Sequence, residues 1–573
     1  MCGIFFSLSR NNYLVPDPKT ENLLKNRGPD CFGKHQRVIA HNPALESRSD
    51  QFHALFLSTV LSLRGHSIVE QPLRDDASDS ILCWNGEAWR IGPRAILGND
   101  SEEVFRTLLE RTDDIAIEHR TTSIERVLEV IASIRGPFAF VFLDAKRGYL
   151  YYGRDCLGRR SLLRKSSSAD EFVLSSVCDN ASDGRWEEVD ADGLYVVDLN
   201  TSLNQTGLEV IHIPHCRLNS TRSNGLSIAL PFPLMNAAAP DGLCNPNSEH
   251  VAQLRTALND SLRLRVQHVR ESVMPIDVNI AKNDAKIAIL FSGGLDCTVL
   301  ARLAHDLVPL TESIDLLNVA FENPRVHGKL DQGVSPYELC PDRITGRTSY
   351  AELLQVCPGR LWHFVEINVP YAETSARRAR VVALMHPHNT EMDLSISFAL
   401  YFASRGSGLA CSPSYAPPSA YTTPAHVLLS GLGADELFGG YQRHAIAFSR
   451  QGYAGLIDEL VVDFDRLGKR NLGRDDRVIS DSGKEVRFPY LDENFIALAL
   501  KFPVWAKCDF ENAQLLDSDD PSRFLEPGKR ILRLLAWHLD MKGVAKEKKR
   551  AIQFGSRTAK METGKTKGTQ QLS

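Results

Sequence analysis

Two short stretches of the sequence combine residue types that can carry out chemistry. Cys2 follows Met1, so removal of that methionine would place a thiol nucleophile and a free α-amine on one residue. An α-amine titrates near pH ~7.7 and can take the proton of its own thiol, so no separate histidine is needed. The ordinary alternative is a cysteine without a catalytic role, and only its neighbours in the sequence can decide between the two.

The second stretch, residues 292–297, reads Ser-Gly-Gly-Leu-Asp-Cys and lies between an apolar run and a helical pattern. A glycine turn at a helix N-terminus presents unpaired N–H groups and the positive end of the helix dipole to an anion, for which pyrophosphate is the natural candidate. The stretch contains no lysine, which excludes the common phosphate loop of kinases and GTPases. A strand-to-helix turn capped by Ser292 is the alternative.

The composition indicates a folded protein that acts on small molecules. Of 573 residues, 43% are apolar and 24% are charged, which excludes a disordered, collagen-like or membrane-embedded chain. The net charge of −5 provides no basic field for nucleic acid or anionic lipid. No apolar run approaches the ~18 residues of a membrane helix and no secretory signal is recognisable, so we expect a cytoplasmic protein. The 12 cysteines are scattered without a Cys-x-x-Cys pair, which predicts reduced thiols rather than disulfides or a zinc site.

The first part of the chain has the pattern of a sheet-rich domain. Short apolar runs bounded by turn residues predict strands at 81–84, 138–143, 149–152 and 194–197. Residues 219–247 are rich in Ser, Asn, Pro and Gly, which predicts a linker and a domain boundary.

Beyond the linker the pattern changes to alternating helices and strands. Helical spacing over 251–266 and 299–308 surrounds a short apolar strand at 287–291, and further buried strands are predicted at 316–321 and 426–429. This order predicts a parallel α/β sheet, whose sites lie at the carboxyl ends of the strands.

Two long connections and the end of the chain have irregular composition. Residues 322–347 and 406–424 are rich in Pro, Gly and Ser, and we interpret them as flexible lids or insertions. Residues 558–573 contain almost no apolar side chains, which predicts a disordered tail.

The first part of the chain resembles the class II glutamine amidotransferases, whose glutaminase domain begins with Cys-Gly-Ile. The resemblance extends to about residue 180. Besides Cys2 it rests on these strings: Arg27-Gly28-Pro29-Asp30, Arg64 with Ser67-Ile68, Gln71-Pro72-Leu73, Asn85-Gly86-Glu87, Asp100-Ser101-Glu102 and Arg154-Asp155-Cys156-Leu157-Gly158-Arg159.

This resemblance implies a role for several of these residues. Hydrolysis of a glutamine side-chain amide needs an oxyanion hole and anchors for the α-carboxylate and the α-ammonium group. By resemblance, the side chain of Asn85 and the N–H of Gly86 form the hole. Arg64 binds the α-carboxylate, Asp100 binds the α-ammonium group, and Glu87 belongs to the same substrate-binding set. Taken singly, Asn-Gly is typical of a hairpin turn, and an isolated charge of a solvated surface.

The second part of the chain resembles the asparagine synthetases, which belong to the ATP-pyrophosphatase enzymes that split ATP to AMP. Residues 430–441 read Ser-Gly-Leu-Gly-Ala-Asp-Glu-Leu-Phe-Gly-Gly-Tyr and match the signature of that family except at the third position. Residues 485–492 and 529–533 add further matches, and the resemblance spans about residues 250–556. It implies that ATP and Mg²⁺ are the cofactors, that Asp296 and Asp435 hold the metal, and that Lys529 offsets charge on the phosphates.

The same resemblance implies the remaining site residues. Lys529 joins Cys2, Asn85 and Gly86 in the catalytic set. The ATP-binding set lies at strand ends and in the two glycine-rich turns, and consists of Leu290, Ser292, Gly293, Gly294, Asp296, Cys297, Val319, Ser430 and Gly431.

One position departs from the asparagine synthetases. Leu432 stands where that family has a glutamate near the amino-acid substrate. A leucine neither accepts a proton nor binds an ammonium group, so the acceptor acid can differ from aspartate. The same leucine, together with residues 316–324, 341–347 and 402–406, resembles a divergent branch, the asparagine synthetase domain-containing proteins.

These resemblances predict an α+β N-terminal nucleophile sandwich of the class II glutaminase type at 2–215, a linker at 216–250, an α/β parallel-sheet ATP-pyrophosphatase domain at 251–556 and a tail at 557–573. They imply a glutamine-dependent, AMP-forming amide ligase that amidates an adenylated carboxylate, with aspartate as the first candidate. Two alternatives stay open: a nucleotide-binding scaffold without turnover, and a ligase for another acid. The expected partners are glutamine, ATP and the acceptor acid, with neither nucleic acid nor membrane, and a homodimer is possible.

Overall fold

Two compact units make up the chain. The first consists of Met1–Pro231, Val382–His388 and Leu467–Lys484, and the second of Phe232–Val381, Asn389–Arg466 and Glu485–Ser573. The computed structural model describes residues 1–40, 51–113, 120–166, 171–179, 185–203, 207–217, 225–238, 248–270, 285–331, 333–412, 415–511, 520–561 and 567–572.

The first unit contains two large sheets, which are antiparallel except for the parallel pair β15 and β16. Its helices up to residue 231 are α1 (Pro18–Arg27), α2 (Asp100–Asp113), α3 (Arg120–Ser133) and α4 (Leu199–Leu203). Its strands are β1 (Gly3–Ser9), β2 (Cys31–Ala40), β3 (Gln51–Val60), β4 (Leu73–Arg74), β5 (Ile81–Gly86), β6 (Arg90–Ile91), β7 (Arg94–Ala95), β8 (Ile134–Arg135), β9 (Phe138–Asp144), β10 (Tyr149–Arg154), β11 (Leu163–Ser166), β12 (Glu171–Ser175), β13 (Arg185–Glu188), β14 (Gly193–Asp198), β15 (Val210–Cys216) and β16 (Ile228–Ala229).

The order of the strands is β13-β11-β12-β1-β3-β2 in one sheet and β16-β15-β14-β10-β9-β5-β4 in the other, and β7-β6-β8 form a small third sheet. Alternate residues of β9 face two different cores, as period-2 alternation requires. Val141 lies in a core with residues of β1 and β3, whereas Phe140 lies in a core with residues of α2 and α3. The two stacked sheets and the helices that cover them confirm the predicted α+β sandwich.

Asp155 is the centre of a buried network that positions the start of β9. Its carboxylate accepts hydrogen bonds from the backbone N–H groups of Phe138 (3.1 Å), Leu157 (3.0 Å) and Arg159 (3.0 Å). The guanidinium of Arg159 donates to the same carboxylate at 2.9 Å and to the carbonyl of Gly136 at 2.8 Å. The first residue of β9, Phe138, pairs with Gly86 of β5, so this network supports the strand that carries the predicted oxyanion hole.

The second unit is built on one mixed, largely parallel sheet. The helices after residue 231 are α5 (Ser248–Val266), α6 (Leu295–Leu307), α7 (Pro324–His327), α8 (Pro341–Val356), α9 (Tyr371–Met385), α10 (Glu391–Arg405), α11 (Ala434–Phe438), α12 (Gln442–Asp465), α13 (Leu467–Arg470), α14 (Leu472–Ser480), α15 (Glu493–Lys501), α16 (Val504–Lys507), α17 (Pro521–Phe524), α18 (Arg530–His538), α19 (Lys542–Lys546) and α20 (Ile552–Gly555). The strands are β17 (Ile287–Leu290), β18 (Ile314–Phe321), β19 (Trp362–Val369), β20 (Ser407–Ser412), β21 (Tyr415–Thr422), β22 (Val427–Leu429) and β23 (Glu485–Arg487). Helices α13 and α14 belong to the first unit.

The strand order β21-β20-β19-β18-β17-β22-β23 places β17 beside β22. The neighbouring pairs β19–β18, β18–β17, β17–β22 and β22–β23 are all parallel, which confirms the predicted parallel α/β sheet. Because β17 and β22 are parallel neighbours, the glycine-rich turns that follow them lie side by side at the carboxyl edge of the sheet.

The structure corrects the interpretation of the two irregular connections. Residues 406–424 are not a lid, because β20 and β21 extend the sheet antiparallel to β19. Pro417 and Pro418 suggested a loop, but β21 is an edge strand, where proline is tolerated. Within 322–347, α7 is a short helix and α8 begins at Pro341, a favoured residue for the first position of a helix.

The predicted linker and tail fall partly outside the described residues, at 218–224, 239–247, 562–566 and 573. In the described part of the linker, Asn236 donates its N–H to the carbonyl of Leu500 at 2.8 Å. In the described part of the tail, Leu572 donates its N–H to the carbonyl of Asn389 at 2.7 Å. None of the described helices is both long and apolar enough to cross a membrane.

We predict that Asp155→Asn destabilises the first unit by about 3–5 kcal/mol, because the buried guanidinium of Arg159 loses its charged partner. Chemical denaturation followed by fluorescence measures the loss. Glu187→Gln is the control, since the partner of Glu187 is the largely exposed Arg185 and such a pair contributes less than about 1 kcal/mol. Equal stability of the two variants would contradict the central role of Asp155.

Candidate active sites

Cys2 lies immediately before β1, in the middle of the first sheet. Its side chain is half-buried, and its carbonyl accepts a hydrogen bond from Nε of Arg27 at 3.2 Å. Met1 precedes it and is buried. The nitrogen of Cys2 is therefore part of a peptide bond, and it can act as a base only after Met1 has been removed.

The structure brings Arg64, Glu87 and Asp100 together around the end of β5. Nη1 of Arg64 donates to the carbonyl of Ala88 at 2.9 Å and lies 3.6 Å from Oε2 of Glu87. Oδ2 of Asp100 accepts from the N–H of the same Ala88 and from Nε1 of Trp84, each at 2.9 Å. Burial raises the pKa of Asp100, and the charge of Arg64 opposes that rise. The buried guanidinium of Arg64 and the buried carboxyl of Asp100 thus both contact the backbone of Ala88.

Asn85 is fully buried, and neither its amide oxygen nor its amide nitrogen has a hydrogen-bond partner in the described part of the chain. Leaving a buried amide unpaired costs about 1–3 kcal/mol, which a hydrogen-bond partner from outside the chain, such as water or a ligand, would offset. The neighbouring Gly86 permits a close approach of backbones, because a Cβ there would lie 2.5 Å from the carbonyl oxygen of Pro137. Of the two predicted oxyanion-hole residues, Gly86 is therefore tightly packed against backbone, and Asn85 has a buried amide without a hydrogen-bond partner among the described residues.

In the second unit the glycine-rich turn after β17 has the predicted strand-turn-helix form. Gly293 adopts a φ of +80°, and a Cβ there would lie 2.5 Å from the backbone of Gly346 in α8. Ser349, also in α8, donates its hydroxyl to the carbonyl of Gly293 at 2.7 Å. The turn is thus held against α8, and α6 begins directly after it at Leu295 with its N-terminal N–H groups available to an anion.

Lys529 lies between the two predicted metal ligands. Its Nζ is 2.8 Å and 3.0 Å from the carboxylate oxygens of Asp296 and 3.0 Å from Oδ1 of Asp435. Lys549 pairs with the other oxygen of Asp435. Burial alone would raise the pKa of Asp435, but the two lysines outweigh it and lower that pKa. Burial would lower the pKa of Lys529, but the two carboxylates raise it, so the ammonium stays charged.

The donor set at this position fits Mg²⁺. Asp296 and Asp435 supply hard carboxylate oxygens from two adjacent turns, and magnesium binds one or two carboxylates together with substrate phosphates. Among the described residues no group of three or more His, Cys, Asp and Glu side chains could hold a metal ion. A Mg²⁺ ion held by these two aspartates would need phosphate oxygens to complete its coordination.

A cavity connects these groups. Of the predicted ATP-binding residues it is lined by Leu290, Ser292, Gly294, Asp296, Cys297, Val319, Ser430 and Gly431, and of the other predicted site residues by Asp435 and Lys529. Gly293 supports the turn without lining the cavity. Sequence reasoning missed several lining residues that lie in α8, in α18 or directly after α19: Asp342, Thr345, Arg533, Glu547, Lys548, Lys549 and Arg550.

The missed cations had a signal in the sequence. Residues 546–550 read Lys-Glu-Lys-Lys-Arg, a run that is usually a solvated surface. A triphosphate site needs several positive charges, and the glycine-rich turns of this chain supply none, so cations had to come from elsewhere. The run near the end of the chain was the available source.

The protein family described as asparagine synthase matches residues 406–459. Asparagine synthetase domain-containing protein 1 of Bos taurus is 33% identical over 99% of this chain and 97% of its own length. The chain belongs to the family of asparagine synthetase domain-containing proteins. A member from Saccharomyces cerevisiae is 31% identical over all of this chain and 99% of its own. The glutamine-hydrolysing asparagine synthetase of Mesocricetus auratus is 24% identical over 88% of this chain and 77% of its own.

In this member of the family no carboxyl replaces the missing glutamate within the turn itself. The N–H of Leu432 donates to the hydroxyl of Ser430 at 3.3 Å. The carboxyls of the signature are Asp435 and Glu436, and Glu436 accepts a hydrogen bond from the hydroxyl of Tyr441 at 2.5 Å. Burial, and then the charge of Asp435, raise the pKa of Glu436. The acceptor side of the site therefore differs chemically from the pattern of the asparagine synthetases.

Asp342 is a buried carboxyl at the N-terminus of α8, in the wall of the cavity. Burial raises its pKa to about 7, with Arg550 opposing and Glu547 adding to that rise. In the unfolded chain the same group titrates near its ordinary value of 3.8. Between about pH 4 and pH 7 the folded protein therefore holds a proton on Asp342 that the unfolded chain has released. The free energy of unfolding consequently decreases as the pH rises from about 4 to about 7.

We predict that Asp342→Asn raises the thermal stability of the second unit more at pH 8 than at pH 5. About two pKa units of the shift lie between pH 5 and pH 7, so the difference is at most about 3 kcal/mol at 1.36 kcal/mol per pKa unit. Thermal unfolding of both proteins at the two pH values measures it. Asp260→Asn, at a largely exposed position on α5, should show no such dependence. A stability difference for Asp342→Asn that does not change with pH would contradict the raised pKa.

Proposed function

We propose that this protein is a glutamine-dependent, AMP-forming amide ligase. The first unit releases ammonia from glutamine, and the second activates a carboxylate with ATP and joins it to ammonia. Aspartate is the first candidate for the acid, and the expected products are glutamate, the amide, AMP and pyrophosphate.

In the glutaminase step the thiol of Cys2 transfers its proton to its own α-amine and attacks the side-chain amide carbon of glutamine. Asn85 and Gly86 stabilise the oxyanion, while Arg64 and Asp100 hold the α-carboxylate and α-ammonium groups. The C–N bond breaks and the protonated nitrogen leaves as ammonia. Water then hydrolyses the thioester to glutamate and restores the thiol.

In the ligase step a carboxylate oxygen of the acid attacks the α-phosphorus of ATP, and pyrophosphate leaves. Ammonia attacks the carbonyl of the acyl-adenylate and AMP departs with the electron pair of the broken C–O bond. The turns that end in Gly294 and Gly431 cradle the phosphates, and Lys529 and Lys549 offset their charge. Asp296 and Asp435 would hold Mg²⁺, which would offset the negative charge of the leaving pyrophosphate.

One observation carries this proposal: the buried ammonium of Lys529 lies within 3.0 Å of the partly buried carboxylates of Asp296 and Asp435, at the edge of a cavity. Removing charges from water costs several kcal/mol per ion, and a hydrophobic replacement of similar volume is often as stable. A fold alone does not need this arrangement, whereas the transfer of a charged phosphate does. The unpaired amide of Asn85 supports the glutaminase half in the same way.

Leu432 favours a second candidate within the same class, a ligase that amidates another acid. Its side chain cannot serve an amino-acid substrate as a glutamate would. Pyrophosphate release, measured with aspartate and with a series of other carboxylic acids in the presence of glutamine, ATP and Mg²⁺, decides between the candidates. Activity with none of them, together with no glutamate release, would favour a scaffold without turnover.

We predict that Cys2→Ala abolishes glutamine-driven amide formation and leaves ammonia-driven formation intact. The variant removes the nucleophile of the first unit but none of the adenylation groups. Cys31→Ala is the matched control, since Cys31 is also a half-buried thiol of the first unit. Mass spectrometry of the purified wild type should find Cys2 as the first residue. A retained Met1 in an active glutaminase would contradict the use of the α-amine as base.

We predict the reciprocal result for Lys529→Met. Loss of this charge should lower AMP formation by at least about 100-fold, the usual cost of removing one preorganised electrostatic donor. Glutamate release by the first unit should persist. Lys542→Met is the control, because the ammonium of Lys542 lies over the ring of Trp537, outside the groups that line the cavity. Unchanged AMP formation in Lys529→Met would exclude the assigned role.

A further inference from the structure

Arg27 connects Cys2 to a distant segment of the chain. Its Nε donates to the carbonyl of Cys2 at 3.2 Å. Its Nη2 donates to Oδ2 of Asp476 at 2.8 Å, and its Nη1 to the hydroxyl of Ser480 at 2.6 Å. Arg27 is 1% exposed and Asp476 is 0% exposed, so water does not compete for these contacts.

Asp476 and Ser480 lie on α14, 449 and 453 residues after Arg27. Helix α14 is surrounded in the sequence by elements of the second unit, yet it is part of the first. Several contacts anchor it there. Oδ2 of Asp476 also accepts from the N–H of Ser161 at 3.1 Å, and Arg477 of the same helix donates to the hydroxyl of Ser161 at 2.7 Å and pairs with Glu188.

The position of the Arg27 guanidinium depends on its counter-ion. A buried guanidinium without a charged partner is costly, and a carboxylate paired with it sets the orientation of its plane. Nε lies in that plane and holds the carbonyl of Cys2. This carbonyl carbon is bonded to the Cα that carries both the thiol side chain and the nitrogen of Cys2. A change in the orientation of the Arg27 guanidinium therefore displaces both the thiol and the nitrogen of Cys2.

We propose that Asp476 is a positioning residue for Cys2 and acts through Arg27. The glutaminase centre is then completed by a helix from the C-terminal half of the sequence, not by residues 1–231 alone. This inference rests on the proposed function, because it assigns Asp476 to the glutaminase step. Asp476 touches neither glutamine nor the reacting atoms, so it is not a catalytic residue.

The test is glutamine hydrolysis by the full-length Asp476→Asn protein. We expect kcat to fall by about 10- to 100-fold, since a displacement of about 1 Å can cost 100-fold. KM for glutamine should stay within about twofold, because Arg64 and Asp100 bind the α-groups and are not contacted by Asp476. Asp481→Asn is the matched control on the same segment, where Asp481 accepts from Asn26 and not from Arg27. Equal kcat values for the two variants would overturn the proposal.

A double variant separates positioning from a general loss of packing. In the background of Arg27→Gln, the further change Asp476→Asn should lower kcat by less than about twofold, because the route through Arg27 is already broken. Losses that multiply in the double variant would overturn the proposal. Ser480→Ala removes only one neutral hydrogen bond from Arg27, so it should fold and lower kcat by a smaller factor in the same direction.

Alkylation by iodoacetamide, followed by mass spectrometry, makes the test independent of turnover. The buried thiols Cys83 and Cys178 report whether the first unit is folded. In folded Asp476→Asn the alkylation rate of Cys2 should differ from that of the wild type, and an unchanged rate would overturn the proposal. A wild type that does not hydrolyse glutamine would defeat the proposed function instead, and the alkylation rates would still decide the role of Asp476.

Discussion

The ammonium of Lys529 allows two carboxylates to lie side by side in the interior of the second unit. Without it, the charges of Asp296 and Asp435 would repel each other at a partly buried position, which would raise the pKa of Asp296 further. The sheet brings these groups together, because β17 and β22 are parallel neighbours and the turns after them share one edge. Lys529 itself immediately precedes α18, far along the chain. The charge pattern at this edge of the sheet therefore depends on one lysine.

The same principle governs the first unit. Arg27 is buried beside Cys2, and its charge is balanced by Asp476 from a helix that arrives 449 residues later. Arg159 is balanced by Asp155, and Arg64 lies beside Glu87 and Asp100. Arg27 and Arg64 contact backbone that carries or adjoins predicted site residues, and the network of Arg159 and Asp155 supports β9, which pairs with β5. The predicted site residues of this unit are thus positioned by ion pairs as well as by apolar packing.

Apolar runs bounded by turn residues predicted several of the strands, but not β1, β2, β3 or β19. The runs at 138–143, 149–152 and 194–197 became β9, β10 and β14, because alternating apolar residues must cover two cores. The hairpin of β20 and β21 was missed, since its Pro, Ser and Gly content is that of a loop and only its place at the sheet edge makes it a strand. Lys549 and Asp342 were missed because a charged residue carries no sign of burial in its own neighbourhood.

The sequence by itself determined which groups are available for chemistry: a cysteine after Met1, an Asn-Gly pair, two glycine-rich turns and a lysine before a helix. Each of these features is defined by a few neighbouring residues, so it can be recognised from the sequence alone. Only the tertiary structure decided which charges meet, because a pair such as Arg27 and Asp476 is separated by most of the chain and forms when the strands and helices pack. Those charges lose contact with water only when the core forms, and this desolvation sets their pKa values and their orientation. The order of the residues alone therefore does not reveal them.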